Sequence, residues 1–177
     1  FTSLIMHFSA PIAILLSLTG ALALPTKRAT SAAVLTVQTY DDFSVSSGVA
    51  GSALAEVNAK FPVRRPNEPR RLAASDLAVI TKAAQLSESA ETATGGFNDA
   101  IAAASGTAAT ALQNGKIKNK VLKLQTDVLR IQIEVAQGNA AAGSELAAQQ
   151  TKLATNVALD VKAKGQAATA IDFAGSD

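Results

Sequence analysis

The sequence predicts an all-α protein: an alanine-rich bundle of four to five antiparallel helices, preceded by a cleaved signal peptide. Three observations predict this class. Apolar residues recur at steps of three and four over several long segments, as in helices with one buried face. Alanine, the residue with the highest helix propensity, is abundant. The second half of the chain shows no pattern of paired strands and no hairpin turn.

Residues 1–23 are interpreted as a signal peptide. The chain from 11 to 24 is apolar and uncharged, and it is shorter than the roughly 20 apolar residues that cross a bilayer. Ala21 and Ala23 then form an A-x-A cleavage site. Met6 is interpreted as the initiator, which makes residues 1–5 a non-native leader. The alternative interpretation of the apolar run is a buried core helix.

Lys27 and Arg28 form a dibasic pair just after this segment. The pair resembles the processing site of fungal secretory proteases, and two ordinary surface charges are the alternative. Processing there makes residues 24–28 a short pro-segment and residues 29–177 a single helical domain. We therefore expect a secreted protein, in the extracellular space or at the cell wall, that is not an integral membrane protein after processing.

The charge balance argues against a nucleic-acid partner. The full chain has 16 basic and 14 acidic residues, a net charge of +2. Removal of Lys27 and Arg28 leaves 14 basic residues against 14 acidic ones, because no acidic residue precedes position 41. A neutral domain lacks the positive excess that drives binding to phosphate backbones. We predict no nucleic-acid binding.

The reactive side chains argue against catalysis. There is no cysteine, and the only histidine, His7, lies in the signal peptide. Ser-His and Cys-His nucleophile systems and the usual zinc sites are therefore not expected. The carboxylates are scattered over helix caps and polar faces. We predict a protein that is not an enzyme, with no catalytic residue, no metal site and no cofactor.

The first helix is predicted from about Ser47 to Lys60. It follows residues 33–43, which are interpreted as an extended lead-in or a short helix. Its apolar side repeats at steps of four, three and four through Ala50, Leu54, Val57 and Phe61. Residues 62–71 come next, a Pro/Arg-rich loop through which no helix can pass.

The second helix is predicted to begin with Ser75 as its N-cap and Asp76 in its first turn. Gly95-Gly96 ends it, and a short helix follows at 98–104. The buried side of the second helix repeats at steps of four, three and four through Val79, Ala83, Leu86 and Ala90.

Residues 107–137 form the most informative helix, because apolar residues occupy two of its sides. Asn114-Gly115 predicts a break or start, and Gly138-Asn139 predicts its end. The first stripe is Ile117, Val121, Leu124, Val128, Ile131 and Val135. The second stripe is Leu122, Leu129 and Ile133. Two apolar sides indicate a central helix packed on both, or a helix that keeps one side as an apolar binding face or cavity wall.

The last helix is predicted from Ser144 to Gly165, and one face of it carries Leu146, Gln150, Leu153, Val157 and Val161. Ile171 and Phe173 in the tail are candidate anchors. Four or five helices with short connections favour antiparallel neighbours.

Two basic clusters are candidate contacts. Arg64, Arg65, Arg70 and Arg71 form the densest positive charge of the mature domain. They are interpreted as a solvated loop, an anionic contact for a polysaccharide, lipid head group or host surface, or a second processing site. The second cluster is Lys116, Lys120 and Lys123 on one helix face, with Lys118 turned away. Its Lys123–Asp127 and Arg130–Glu134 spacings are typical of a solvated helix.

Two segments carry a resemblance to a known family: Tyr40 to Pro62 (YDDFSVSSGVAGSALAEVNAKFP) and Thr110 to Gln125 (TALQNGKIKNKVLKLQ). They resemble cysteine-free small secreted proteins of filamentous ascomycete fungi. In architecture and composition the chain is also similar to fungal hydrophobic-surface-binding proteins and cell-wall mannoproteins, some of which hold lipids. No functional residue transfers from either resemblance.

The function predicted from these observations is binding. We expect a secreted non-enzymatic protein that binds an apolar ligand, surface or partner: a lipid, a hydrophobic surface, a cell-wall polymer or a host protein. The two apolar sides of residues 117–135 are the reason. The alternative is an effector or elicitor that acts on a host or a competing organism through the Arg-rich loop.

Overall fold

The computed structural model describes residues 32–63 and 73–175. In this part of the chain a single-turn helix precedes five longer α-helices, and the predicted all-α class is confirmed. In chain order the elements are α1 (Tyr40–Phe43), β1 (Gly48–Val49), α2 (Ala53–Lys60), α3 (Ala74–Thr92), α4 (Phe97–Ala103), α5 (Gly106–Ala136), a 3-10 helix (Ala140–Ala142), α6 (Gly143–Lys162) and β2 (Ala167–Ala168).

α5 is the central helix of the bundle. It contacts α2, α3, α4 and α6, and this is why apolar residues occupy two of its sides. Val121 and Ile131 of the first stripe are fully buried, and so are Leu122 and Ile133 of the second. A helix with neighbours around it buries side chains in several directions. The interpretation as a central helix packed on both sides is confirmed.

α5 runs without interruption through Asn114 and Gly115, so the break or start predicted there is wrong. The C-terminal segment crosses α5 closely at this point. A Cβ atom on residue 115 would lie 2.0 Å from the carbonyl oxygen of Thr169. The Asn114 amide donates a hydrogen bond to the Ala167 carbonyl at 2.9 Å. Residues typical of turns serve a tertiary contact here.

α2 begins at Ala53, six residues after the predicted start at Ser47. Gly48 and Gly51 have φ angles of +84° and +114°, which a right-handed helix does not admit. In place of helix, β1 pairs antiparallel with β2. The sequence carries no hairpin signal for this pair, because the two strands lie at opposite ends of the domain.

The start of α3 also differs from the prediction. Ala73 occupies the N-cap position, without a side-chain hydrogen bond, and Ser75 lies inside the first turn. Asp76 is in the first turn as predicted. The predicted side of α3 is confirmed as buried, and α4 lies within one residue of its predicted bounds. The ends of α3, α5 and α6 fall just before the predicted glycines.

The hydrophobic core lies where α1, α2, α3 and α5 meet, and Tyr40, Phe43 and Leu122 are among its fully buried side chains. α6 covers one side of α5 with half-buried Leu153 and Val157. Val161 of the same predicted face is 53% exposed, so the prediction is wrong at that residue. The C-terminal segment closes the core with Ile171 and Phe173, as predicted.

Candidate functional site

A shallow groove of about 650 Å³ lies between the extended segment before α1 and the outer side of α3. Its wall is predominantly apolar, from Val37 on one side and Ala74, Leu77 and Ala78 on the other. The Val37 side chain is 66% exposed, although valine is most often buried. Contiguous apolar surface left open to water is typical of ligand and partner sites.

Asp76 holds the wall of this groove in place. Its buried carboxylate accepts hydrogen bonds from the backbone N–H groups of Val34 and Leu35, both at 2.9 Å. A carboxylate in the first turn of a helix is also favoured by the helix dipole. Leu35 packs against the core. These contacts fix the extended segment against α3 and set Val37 beside it.

A charged cleft of about 480 Å³ adjoins the groove, between α3, α5 and α6. Thr81 and Gln85 line both the groove and the cleft, so the two form one continuous furrow along α3. Leu124, which is buried, forms part of the cleft wall. The charged residues of the cleft are Glu88, Lys123, Asp127, Arg130, Glu134 and Lys152.

Most of these charges are already paired. Lys123 pairs with Glu88 across α5 and α3. Arg130 lies 3.4 Å from the Asp127 carboxylate and 3.1 Å from that of Glu134. Partial burial opposes the charge of Arg130, but the hydrogen bond and charge of Glu134, together with Asp127, outweigh it and raise the pKa of Arg130.

Two lysines of the furrow have no such partner. Lys82 in the groove and Lys152 in the cleft are exposed. Neither forms an ion pair with any other residue that the structure describes. The furrow therefore combines an apolar wall, a set of internally paired charges and two unpaired cations.

Leu122, Leu129 and Ile133, the candidate apolar binding face, belong to the core. Leu122 and Ile133 are 0% and 1% exposed, and Leu129 is half-buried against the same cluster. The prediction of a free face there is wrong, because other parts of the core pack against these three side chains.

The lysine face of α5 meets carboxylates of α3. Lys116 and Lys120 lie 3.6 and 3.3 Å from the Glu91 carboxylate. Lys123 pairs with Glu88 instead of forming the predicted pair within the helix. The face therefore joins two helices rather than forming a patch for an anionic ligand.

Lys118 is turned away from the other three lysines, as predicted, and the structure shows that it points into the protein. Its Nζ atom donates hydrogen bonds to the carbonyl oxygens of Ser47 and Val49 at 2.8 and 3.1 Å. It also lies 3.0 Å from the Glu56 carboxylate. The residue is 1% exposed, and these partners satisfy its charge in the fold.

The remaining predicted site residues lie outside the described part of the chain. This holds for the processing residues Ala21, Ala23, Lys27 and Arg28, and for the basic residues Arg64, Arg65, Arg70 and Arg71. Their roles stay predictions, and so does the effector function that depends on the Arg-rich loop.

The groove was missed by reasoning from the sequence. The available signal was the aliphatic cluster Val34, Leu35 and Val37 in a segment without a turn partner. Only Leu35 of the three packs against the core, while Val34 and Val37 are exposed. The spacing of apolar residues does not show which of these three side chains is buried, because a short extended segment can lie against a helix in several ways.

Two further features are absent from residues 32–63 and 73–175. No group of three or more histidine, cysteine, aspartate or glutamate residues there could hold a metal ion. None of the helices in this part of the chain has the length and apolarity needed to span a membrane.

Comparison with protein families gives one match. The family described as "Domain of unknown function (DUF8454)" matches residues 35–172. The chain belongs to this family. The DUF8454 match contains α1 to α6 and both strands, so the groove and the cleft are parts of the DUF8454 domain. Comparison of the chain with curated proteins and with solved structures gives no match.

Proposed function

We propose that the protein is a secreted, non-enzymatic binding protein, and that it takes an apolar ligand into the groove between Val37 and α3. The exposed apolar wall of this groove is the observation that supports the proposal. The groove takes the place of Leu122, Leu129 and Ile133 of α5 as the proposed site of apolar contact, because those side chains belong to the core.

The energetics favour a ligand that covers this wall. Removal of apolar surface from water stabilises a complex by about 25 cal/mol per Å². Val37 is 66% exposed, and a ligand in the groove would cover it together with Leu77 and Ala78. The anchoring of the extended segment by Asp76 means that one wall of the groove is already ordered. A pre-ordered site loses less entropy on binding.

The test is a pair of variants with matched chemistry. Val37→Asp places a carboxylate on the groove wall, whereas Val161→Asp places one on α6, where the valine is 53% exposed and does not line the groove. Binding is measured by the fluorescence of a pyrene-labelled fatty-acid methyl ester, which has an uncharged head. We expect Val37→Asp to weaken binding about tenfold or more, since burying a valine contributes about 1.5–3 kcal/mol.

Val161→Asp should leave the affinity unchanged. Equal affinity of the two variants, or no binding of the ester by the unsubstituted protein, would contradict the proposal. Circular dichroism of both variants checks that the helices are intact.

A further inference from the structure

We infer that the ligand is a single anionic amphiphile, whose alkyl chain lies in the groove and whose head group lies in the charged cleft. This inference rests on the proposed function and specifies the ligand of the same site. It begins from the continuity of the furrow, because Thr81 and Gln85 line both of its parts.

The order of side chains along α3 matches the order of groups in an amphiphile. Ala74, Ala78, Thr81, Gln85 and Glu88 follow one another at steps of four, three, four and three, which places them on one side of the helix. This line is about 21 Å long at 1.5 Å per residue. It is apolar at its start and polar from its middle onward, which is the order of the alkyl chain and the head group in an amphiphile.

The charge of the head group follows from the pairing in the cleft. Each carboxylate of the cleft has a cationic partner: Glu88 pairs with Lys123, and Asp127 and Glu134 share Arg130. The unpaired charges of the furrow are the two cations, one at each part. With Lys82, Lys123, Arg130 and Lys152 against Glu88, Asp127 and Glu134, the furrow has one more positive than negative charge. A negative head group compensates this excess, whereas a positive one adds to it. Electrostatic complementarity therefore selects an anion.

The structure favours a single molecule over a bilayer surface. The furrow is bounded by the extended segment on one side of the groove and by α5 and α6 around the cleft. A bilayer cannot enter a cleft between helices, but one chain with one head group can. Carboxylate and phosphate head groups share the chemistry that the lysines recognise, and the experiment tests each.

The experiment is a competition against the pyrene-labelled ester with unlabelled amphiphiles of equal chain length, each below its critical micelle concentration. The competitors are palmitate, hexadecyl phosphate, methyl palmitate and hexadecyltrimethylammonium. We expect the two anions to bind about three- to tenfold more tightly than methyl palmitate, as expected for exposed ion pairs. The trimethylammonium compound should bind no better than the ester. Added salt should reduce the advantage of the anions.

The lysines are tested by the double variant Lys82→Gln/Lys152→Gln. We expect palmitate and methyl palmitate to bind this variant with equal affinity. Lys162→Gln is the matched control, because Lys162 is an exposed lysine of α6 that does not line the furrow. It should keep the full preference for anions.

The outcomes separate the two proposals. Equal binding of palmitate and methyl palmitate by the unsubstituted protein overturns the anionic head group and leaves the apolar groove standing. A preference for anions that survives in Lys82→Gln/Lys152→Gln overturns the assignment of the head group to this furrow. Absence of binding by every monomeric amphiphile, including the ester, overturns the proposed function itself. Binding to palmitate-containing vesicles alone overturns the single-molecule ligand.

Discussion

The Asp160 carboxylate accepts a hydrogen bond from the backbone N–H of Ala53, the first residue of α2, at 2.9 Å. Its other oxygen accepts the N–H of Gly51, also at 2.9 Å. Asp160 is 2% exposed, and it belongs to the last turn of α6. A residue 107 positions further along the chain therefore caps α2. Ser52 occupies the N-cap position, but its hydroxyl donates to the Glu56 carboxylate instead.

The variant Asp160→Asn should destabilise the protein by about 1–3 kcal/mol. The asparagine keeps one acceptor oxygen but turns an NH₂ group toward a backbone N–H. Urea denaturation followed by circular dichroism measures the loss in the free energy of unfolding. Glu145→Gln, an exposed change in the first turn of the same helix, is the control, and equal stability of the two variants would contradict the cap.

The variant Gly115→Ala should destabilise the protein by about 2 kcal/mol or more, because its Cβ would lie 2.0 Å from the Thr169 carbonyl oxygen. Without that contact, alanine would be the better helix residue by about 1 kcal/mol. Gly143→Ala is the matched control, since its Cβ would meet only Val135 at 3.4 Å. Thermal unfolding should show a lower midpoint for Gly115→Ala alone; similar midpoints would mean that the C-terminal segment does not cross α5 closely.

A buried polar chain links three elements of the core. The Tyr40 hydroxyl donates to Asn119 at 2.8 Å, and the Asn119 amide donates to the Ser87 carbonyl at 2.7 Å. Asn119→Ala removes the partner of the buried Tyr40 hydroxyl and one of the hydrogen bonds to the Ser87 carbonyl, so we expect a loss of about 1–3 kcal/mol. Tyr40→Phe should cost less, and the double variant less than the sum of both. Additive losses in a double-mutant cycle would show that the two side chains do not interact.

The Tyr40 hydroxyl provides a prediction for alkaline pH. Burial raises the pKa of Tyr40 above its ordinary value of 10.0, against the smaller opposing effect of the nearby Ser44 and Ser46 hydroxyls. The folded state thus favours the neutral phenol. Its contribution to stability is complete below pH 10.0 and is lost as the pH rises through the folded-state pKa.

Phenolate absorbance measures this pKa directly, because Tyr40 is the only tyrosine and the chain has no tryptophan. We expect a midpoint above 10.0 in the native protein and a return to the ordinary value in urea. An identical midpoint in both solvents would show that the hydroxyl is accessible to water in the folded state.

The helices were predictable where their cause is local. The spacing of Val79, Ala83, Leu86 and Ala90 marks the buried side of α3, because 3.6 residues per turn bring these positions together in any helix. The glycines after α3, α5 and α6 likewise mark helix ends that depend on a few neighbouring residues.

The predicted helix boundaries are wrong where a contact with a residue far along the chain outweighs the local sequence signal. Ser47 and Ser75 are good N-cap residues, but the positive φ angles before α2 and the Asp160 carboxylate move its start to Ala53. Asn114-Gly115 is a turn signal in sequence, yet packing against the C-terminal segment keeps it helical. Tertiary contacts of this kind outweigh propensities of about 1 kcal/mol.

The candidate site, like the helices, was predictable only where its features depend on residues close together in the sequence. The two apolar stripes of α5 showed that this helix meets partners on two sides. Whether Leu122 and Ile133 face a ligand or the core depends on which segments cover them. Only the tertiary structure shows that both side chains lie in the core. The groove at Val37 required Asp76 to hold an extended segment on α3, a contact across 42 residues.

By itself, the sequence determined the all-α class, the order of the helices and most of their ends, because periodicity and helix-terminating residues act over a few positions. It also established the absence of cysteine, which leaves packing and buried polar contacts to stabilise the domain. Only the tertiary structure decided which apolar surface is covered and which stays open, and which lysines are paired. Burial and pairing are properties of neighbours in space, and in this protein those neighbours lie far apart along the chain.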